Sequence, residues 1–199
     1  MTDYPSTGWD VLDTALRALA GVAAGIAEED WGFPTPCERW NVAQVIQHAA
    51  GDQIAWASAV SGGPGPDENP FTPSGRLDDA ALAIVDRALR TAVGAWQGVR
   101  PDGGAVHSPL PVGDLAAEVA AGACALDASV HAWDLAMATG QASPLTDALA
   151  GTLLDAAVQV VEPLRGFAYA SALPADAGDD KVAALLKYLG RQPDWKAEG

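Results

Sequence analysis

The sequence has few basic residues and few cysteines, and each shortage excludes a class of protein. Of its 199 residues, 11 are Lys or Arg and 26 are Asp or Glu, which gives a formal net charge of -15. A surface this acidic repels phosphate backbones and anionic lipids, so we expect neither nucleic acid nor a membrane surface as a partner. Two cysteines, Cys37 and Cys124, are too few for a disulfide framework and are expected to be reduced thiols.

Long apolar runs and a recognisable targeting segment are also missing. The longest weakly charged stretch, residues 119–135, is interrupted by Asp127, His131 and Asp134. It therefore falls short of the roughly 18 uninterrupted apolar residues that a membrane-spanning helix needs. The first residues, 1–5, have neither the basic nor the apolar part of a secretory signal. We expect no membrane span and a cytoplasmic location.

Motifs for several common chemistries are absent as well. The sequence has no Gly-rich phosphate loop, no Ser-His-Asp order and no CxxC redox pair. It shows no hairpin turns, strand pairs or internal repeats. Hydrophobic residues make up 49% and charged residues 19%, which is typical of a globular chain. Apolar residues recur at steps of three and four over most of the length, and this spacing predicts an all-α protein.

The apolar spacing predicts four helices within residues 8–140. They are expected over about residues 8–27, 42–60, 82–96 and 112–139. Their lengths and connections predict an up-down four-helix bundle. The segment 141–199 is expected to wrap this bundle as additional helices, so that residues 1–199 form a single domain.

Two local signals refine these boundaries. Asn41 is a good N-cap, and Gln44, three residues later, completes a capping box at the start of the second helix. Residues 61–75 are rich in Gly and Pro, so they are expected to be a long mobile loop. A second Gly/Pro-rich loop over 97–111 contains His107.

Asp127 is the most informative polar residue because it lies among alanines and apolar residues in the middle of the fourth helix. A buried carboxylate is costly unless it is paired or coordinated. His131, four residues later, lies on the same helical face, and two ligands at that spacing can hold one metal ion. A simple Asp–His hydrogen bond in the core is the alternative. Asp134 is expected to bond to the backbone or to solvent.

His48 strengthens the metal hypothesis because it lies near the core-facing stripe of the second helix. A lone core histidine is more often structural than a ligand. The chain contains only three histidines, however, and two of them fall on predicted core helices. Together His48, Asp127 and His131 would form a site of two histidines and one carboxylate with open positions, which suits a catalytic ion such as zinc.

Five other residues are weaker candidates for this site. Asp52, one turn after His48, could accept a hydrogen bond from that imidazole and orient it, or it could be a solvated residue at the rim. Cys124 could intrude as a soft ligand, although a buried apolar filler is the ordinary role for such a residue. His107 could close over the site or be a plain surface histidine. Trp56 and Trp133 are candidates to line a pocket.

Three segments resemble the DinB-like family of mycothiol-dependent maleylpyruvate isomerases. Residues 35–42, Thr-Pro-Cys-Glu-Arg-Trp-Asn-Val, followed by His48, are similar to the opening motif of that family. Residues 127–140, Asp-Ala-Ser-Val-His-Ala-Trp-Asp-Leu-Ala-Met-Ala-Thr-Gly, are similar to its later block. Residues 186–195 resemble the tail of an actinobacterial branch of the family. The order and spacing agree from about residue 8 to residue 195.

The resemblance implies a metal-binding bundle in which His48, Asp127 and His131 stand at the ligand positions. The family carries glutamate where this chain has Asp127, which is one methylene shorter. The isomerases also carry a separate C-terminal domain that helps to complete the active site, and we expect these 199 residues to leave no room for one. The implied cofactors are a divalent metal, zinc or alternatively nickel, and mycothiol or a similar thiol as cosubstrate.

These observations favour a metal-dependent transferase or isomerase in which a metal-bound thiolate attacks a small electrophile. The metal could equally activate water for hydrolysis. Its partners would be the small-molecule thiol and the electrophilic substrate, and the chain could form a homodimer. One alternative is a non-catalytic metal- or ligand-binding bundle in stress response or regulation. Another is a plain structural bundle with a buried Asp–His network.

Overall fold

Helices make up most of the computed structural model, which describes residues 4–197. The α-helices are α1 Asp10–Ala23, α2 Val42–Ser61, α3 Ala81–Trp96, α4 Ala117–Ala138, α5 Asp147–Val160 and α6 Lys181–Tyr188. Two short strands, β1 Ala105–Val106 and β2 Leu115–Ala116, form a small antiparallel sheet. The predicted all-α, DinB-like class is confirmed.

The start of α2 follows the predicted capping box. The side chain of Asn41 accepts a hydrogen bond from the backbone N–H of Gln44 at 3.0 Å. In return the backbone N–H of Asn41 donates to the Gln44 side chain at 3.1 Å. Because these two bonds satisfy amides that a helix N-terminus leaves without partners, they set the first turn of α2 and thereby the position of His48.

The first four helices form the bundle, with α4 as its most buried member. Helix α1 packs against α3 and α4, and α2 packs against the same two helices. Helices α1 and α2 therefore lie across the bundle from each other. Helix α4 also carries α5 on another side, where the backbone comes so close that a Cβ at Gly122 would lie 2.7 Å from Cβ of Ala156. Within residues 4–197, no helix combines the length and apolar character that crossing a membrane requires.

The sheet of β1 and β2 was not predicted, and it explains why α4 begins later than expected. Residues 112–116, which the apolar spacing assigned to the helix, lie in the hairpin instead. Gly113 has a left-handed φ of 79°, which a right-handed helix cannot continue. Helix α1 also ends earlier than predicted, at Ala23 rather than near residue 27.

The connection between α2 and α3, residues 62–80, is a long loop as predicted, but hydrogen bonds tie it to α2. The amide of Gln47 accepts from the backbone N–H of Gly75 at 2.7 Å and donates to the carbonyl of Arg76 at 2.7 Å. The Gln44 side chain donates to the carbonyl of Pro73 at 3.2 Å. The loop therefore lies along α2 and brings Pro70 beside His48.

Beyond the bundle, α5 packs on α4 and α6 packs on α5. Helix α6 is capped by Asp180, whose side chain accepts from the backbone N–H of Ala183 at 2.7 Å. The side chain of Asp147, at the start of α5, accepts from the backbone N–H groups of Lys181 and Val182. These bonds fix α6 on α5 and carry the following residues back towards the bundle.

Candidate metal centre

Three side chains from α2 and α4 converge at one point in the bundle. The distance from Nε2 of His48 to Oδ1 of Asp127 is 3.4 Å, and that from Nε2 of His131 to the same oxygen is 3.5 Å. One ligand atom from each of the three residues lies within 4.8 Å of the others. The i,i+4 spacing on α4 and the packing of α2 against α4 bring about this meeting.

Nδ1 of His48 and Nδ1 of His131 each already has a hydrogen-bond partner. Nδ1 of His48 lies 2.9 Å from the carbonyl oxygen of Pro70. A carbonyl only accepts, so this nitrogen must carry a proton and donate. Nδ1 of His131 makes the same kind of bond, 2.9 Å long, to Oδ2 of Asp134. In the neutral imidazoles the free lone pairs are therefore on Nε2 and face Asp127, which is the tautomer that metal-binding histidines adopt.

Asp127 has one carboxylate oxygen that nothing in residues 4–197 satisfies. Its Oδ2 is buried and has no hydrogen-bond partner among those residues. A buried polar atom without a partner is costly, and native structures rarely keep one without a reason. Either a cation at the convergence of the two Nε2 atoms or a proton on the neighbouring Asp52 carboxyl would remove this cost. Two imidazoles and one carboxylate are also the donor set of many catalytic zinc sites, so these residues fit such an ion.

Electrostatics couple His48 to Asp127 in the absence of a cation. Burial by itself would lower the pKa of His48, but the hydrogen bond and charge of Asp127 outweigh it and raise that pKa above its ordinary value. Burial likewise opposes ionisation of Asp127, yet the charges of His131 and His48 lower its pKa overall. A cation entering this site therefore competes with protons for the same nitrogens.

Asp52 lies one turn after His48 and lines the same cavity, but it does not orient that histidine. The bond to Nδ1 of His48 comes from Pro70, because the loop 62–80 lies along α2 at this point. Burial, followed by the charge of Asp127, raises the pKa of Asp52 to about 8. The two carboxyls interact directly, so a proton held by Asp52 can be donated to Asp127.

Asp134 was expected to bond to the backbone or to solvent, and this expectation is wrong, because its buried carboxylate bonds His131 and Arg191, a residue that no sequence pattern had singled out. Asp134 accepts from Nδ1 of His131 and also from Arg191, whose Nε and Nη2 each lie 2.8 Å from a different oxygen of the carboxylate. Burial would raise the pKa of Asp134, but the charge and hydrogen bonds of Arg191 hold it at about 2. The i,i+3 spacing of His131 and Asp134 was a usable signal. Arg191 lies 57 residues beyond Asp134, and no local pattern points to it.

The cavity around the three candidate ligands has a volume of about 50 Å³, and aromatic side chains form part of its walls. The indole of Trp40 stacks on the imidazole of His48, with ring centroids 4.4 Å apart. Phe71 meets the same imidazole edge-on at 5.5 Å. Trp56 and Tyr169 also line the cavity.

Three residues proposed for the pocket lie elsewhere. His107 is exposed, and its Nδ1 lies 3.0 Å from the Asp114 carboxylate in the hairpin. Cys124 is buried in the core, where its thiol donates to Gln53 at 3.2 Å and where burial raises the pKa of the thiol well above its usual value. Trp133 is buried two residues after His131, and that spacing turns its ring towards a different part of the core.

A second, larger cleft adjoins the metal cavity. It has a volume of about 310 Å³ and lies between residues 36–39, 166–170 and 189–191. Both spaces share part of their walls, formed by Cys37, Arg39, Ala168, Tyr169 and Arg191. Arg39 reaches across the cleft, where its Nη2 donates to the carbonyl of Phe167 at 3.2 Å.

The bundle and the cluster of two histidines and one carboxylate define a class of protein, the DinB-like helical bundle with a candidate divalent-metal site. Comparison with known sequences identifies the family within this class. The chain belongs to the family of the mycothiol maleylpyruvate isomerase N-terminal domain, whose sequence model matches residues 12–136. The matched segment contains all three candidate ligands.

The chain is also similar to two proteins of Mycobacterium tuberculosis, both described only as uncharacterized. One comes from strain CDC 1551 / Oshkosh and the other from strain H37Rv. Each is 31% identical over 185 residues, which cover 89% of this chain and 93% of the relative. No solved structure matched the chain.

Proposed function

We propose that the protein is a metal-dependent enzyme that uses mycothiol, or a similar low-molecular-weight thiol, in a transferase or isomerase reaction on a small electrophile. The observation that carries this proposal is the convergence of two imidazole nitrogens on one carboxylate, with one ligand atom of each residue within 4.8 Å of the others. Family membership supports it, because the family is described by mycothiol and maleylpyruvate isomerisation.

His48, Asp127 and His131 would hold the ion, which we propose to be zinc, with nickel as the alternative. When bound, a divalent ion makes a coordinated thiol ionise at neutral pH, and the thiolate is the reactive nucleophile. The protein orients the two imidazoles through Pro70 and Asp134. Trp40 packs against the imidazole of His48 and helps to hold it in place.

The sizes of the two adjoining spaces suggest how a thiol would bind. A cavity of about 50 Å³ has room for an ion and a few ligand atoms, but it is far smaller than the roughly 300–1,000 Å³ of ordinary small-molecule pockets. The neighbouring cleft of about 310 Å³ reaches that range. We propose that the body of the thiol lies in this cleft and that its sulfur end enters the cavity.

The small cavity is also the observation that favours the alternative function. A site that admits only an ion and a few atoms would serve a non-catalytic metal- or ligand-binding bundle in stress response or regulation. Such a protein would bind metal without turning over a substrate. Fold and donor set are common to both functions, so only activity can separate them.

The experiment begins with anaerobic purification, elemental analysis and titration of zinc and nickel into chelator-treated protein. We expect about one ion per chain. The loaded protein is then assayed with mycothiol and a panel of small electrophiles that includes maleylpyruvate, with Asp127→Asn as the metal-deficient variant. Turnover that chelation and Asp127→Asn both remove supports the enzyme.

Two other outcomes contradict this proposal. Metal binding without turnover across the panel supports the binding protein instead. Failure to take up any ion would leave His48, Asp127 and His131 as a structural hydrogen-bond network. Exposed Asp155 on α5 supplies the matched control, because Asp155→Asn changes the same functional group away from the cavity.

A further inference from the structure

Arg191 lies in the C-terminal tail, yet its backbone is held in one place. Helix α6 ends in a Schellman motif, in which the N–H of Gly190 donates to the carbonyl of Lys187 at 3.0 Å and that of Arg191 donates to the carbonyl of Leu186 at 2.8 Å. Gly190 has a φ of 79°, and a Cβ there would lie 2.7 Å from Cβ of Ala170. Both the conformation and the space require glycine, so the residue that follows it has a fixed direction.

The side chain of Arg191 points into the protein and ends at the metal centre. It is only 10% exposed, and its two hydrogen bonds reach both oxygens of Asp134. Oδ2 of Asp134 accepts from Arg191 and from Nδ1 of His131 at the same time. An unbroken chain of contacts therefore runs from the tail, through Asp134, to a candidate ligand.

Asp134 needs this partner because its side chain is fully buried. The bond from a neutral imidazole alone would leave a carboxylate with an uncompensated charge in the core, which is costly. The planar guanidinium compensates the charge and, by binding both oxygens, also sets the plane of the carboxylate. That plane decides where Oδ2 meets the imidazole.

We propose that Arg191 is a positioning residue for the metal centre, which fixes the orientation of His131 through Asp134. Arg191 lies beyond residues 12–136, which match the family model, so the C-terminal tail would then contribute to the site. This inference rests on the proposed metal site, but it makes a separate claim. The separate claim is that Arg191 controls how the ion is held, although it touches no candidate ligand atom.

The test compares Arg191→Met and Arg191→Lys with the wild type, using Co²⁺ as the probe. Arg191→Met keeps most of the side-chain volume but removes the charge and both hydrogen bonds. We expect it to weaken Co²⁺ binding by about 10- to 100-fold, the usual effect of losing a group that orients a ligand. We also expect a changed visible spectrum of bound Co²⁺. Arg191→Lys restores the charge without the two-pronged geometry and should recover part of the affinity.

Arg165→Met is the matched control, because Arg165 also pairs with a carboxylate, Glu162, in the C-terminal segment but does not line the cavity. A second readout is the Nδ1–H proton signal of His131 in the zinc-loaded protein, which is readily assigned because the chain has three histidines. We expect this signal to shift in Arg191→Met, which loses the bond geometry at Asp134, and to stay unchanged in Arg165→Met. A role confined to folding would not produce this difference.

Wild-type affinity, Co²⁺ spectrum and His131 signal in Arg191→Met would overturn the inference, and so would equal losses in Arg165→Met. If Arg191→Met does not fold, Arg191→Lys serves instead, because it keeps the buried charge and changes only the two-pronged geometry. Weaker Co²⁺ binding and a shifted His131 signal in Arg191→Lys support the inference, and wild-type values of both overturn it. Failure of the wild type itself to bind Co²⁺ or zinc would refute the metal site and this inference together.

Discussion

At the scale of single residues, each site histidine uses its two ring nitrogens for different tasks. Nδ1 of His48 and of His131 is held by an oxygen acceptor, and Nε2 of each faces Asp127. The third histidine, His107, has an exposed side chain and an exposed partner. Nδ1 of His107 also has an oxygen partner, so burial and the approach of Nε2 to Asp127 distinguish the candidate ligands from His107.

We predict that His48→Ala and His131→Ala each abolish tight zinc binding, because each variant removes one of three donors. His107→Ala should bind zinc like the wild type, since His107 lies outside the cavity. Competition against a chromophoric chelator measures all three affinities. Loss of zinc in His107→Ala with retention in His48→Ala would show that the ligands are assigned incorrectly.

At the scale of helices, the close packing of α4 and α5 holds together the bundle and the C-terminal part of the chain. Gly122 permits this approach, because even one methyl group there would lie 2.7 Å from Cβ of Ala156. The helix that carries Asp127 and His131 is therefore positioned from two sides, by the bundle and by α5. A change at this contact should affect stability before it affects the ligands themselves.

Gly122→Ala should lower the free energy of unfolding by about 1–3 kcal/mol, because the added methyl group overpacks the contact. Gly94→Ala is the control on α3, where an added Cβ meets nothing within 4 Å. There the better helix propensity of alanine should raise the free energy of unfolding by up to about 1 kcal/mol. Urea denaturation measures both changes, and a stabilised Gly122→Ala variant would contradict the packing described here.

At the scale of the whole molecule, the candidate site joins three parts of the chain that lie far apart in sequence. His48 comes from α2, Asp127 and His131 come from α4, and Arg191 comes from the tail after α6. An ion bound there would crosslink α2 to α4. Unfolding separates these segments, so an ion that binds the folded chain alone must stabilise it.

We predict that zinc at about 100 times its dissociation constant stabilises the chain by about 2.7 kcal/mol. For a chain of this size that corresponds to a rise in Tm of roughly 5–10 °C. Thermal denaturation with and without zinc measures the shift, and a chelator should reverse it. The same zinc concentration should leave the Tm of His131→Ala unchanged, and an equal rise in that variant would locate the stabilising ion elsewhere.

Local patterns in the sequence determined the all-α class, the start of α2 and the pairing of Asp127 with His131 on one helical face. These features depend on residues a few positions apart, whose spacing and hydrogen-bonding capacity are visible in the chain itself. Proximity of His48 to that pair was an expectation from core-facing periodicity and from the family resemblance. The same periodicity did not reveal the hairpin of β1 and β2, because two residues per strand are too few to show an alternating pattern.

Only the tertiary structure decided which groups surround the three candidate ligands. Pro70 reaches His48 because the loop 62–80 folds back along α2, and Arg191 reaches Asp134 because α6 docks on α5. Both contacts join residues far apart in sequence, and such pairs form only when several elements pack together. Packing likewise decided between the two roles open to Cys124 and placed it in the core beside Gln53, since a residue's spacing along a helix does not say which neighbour covers that face.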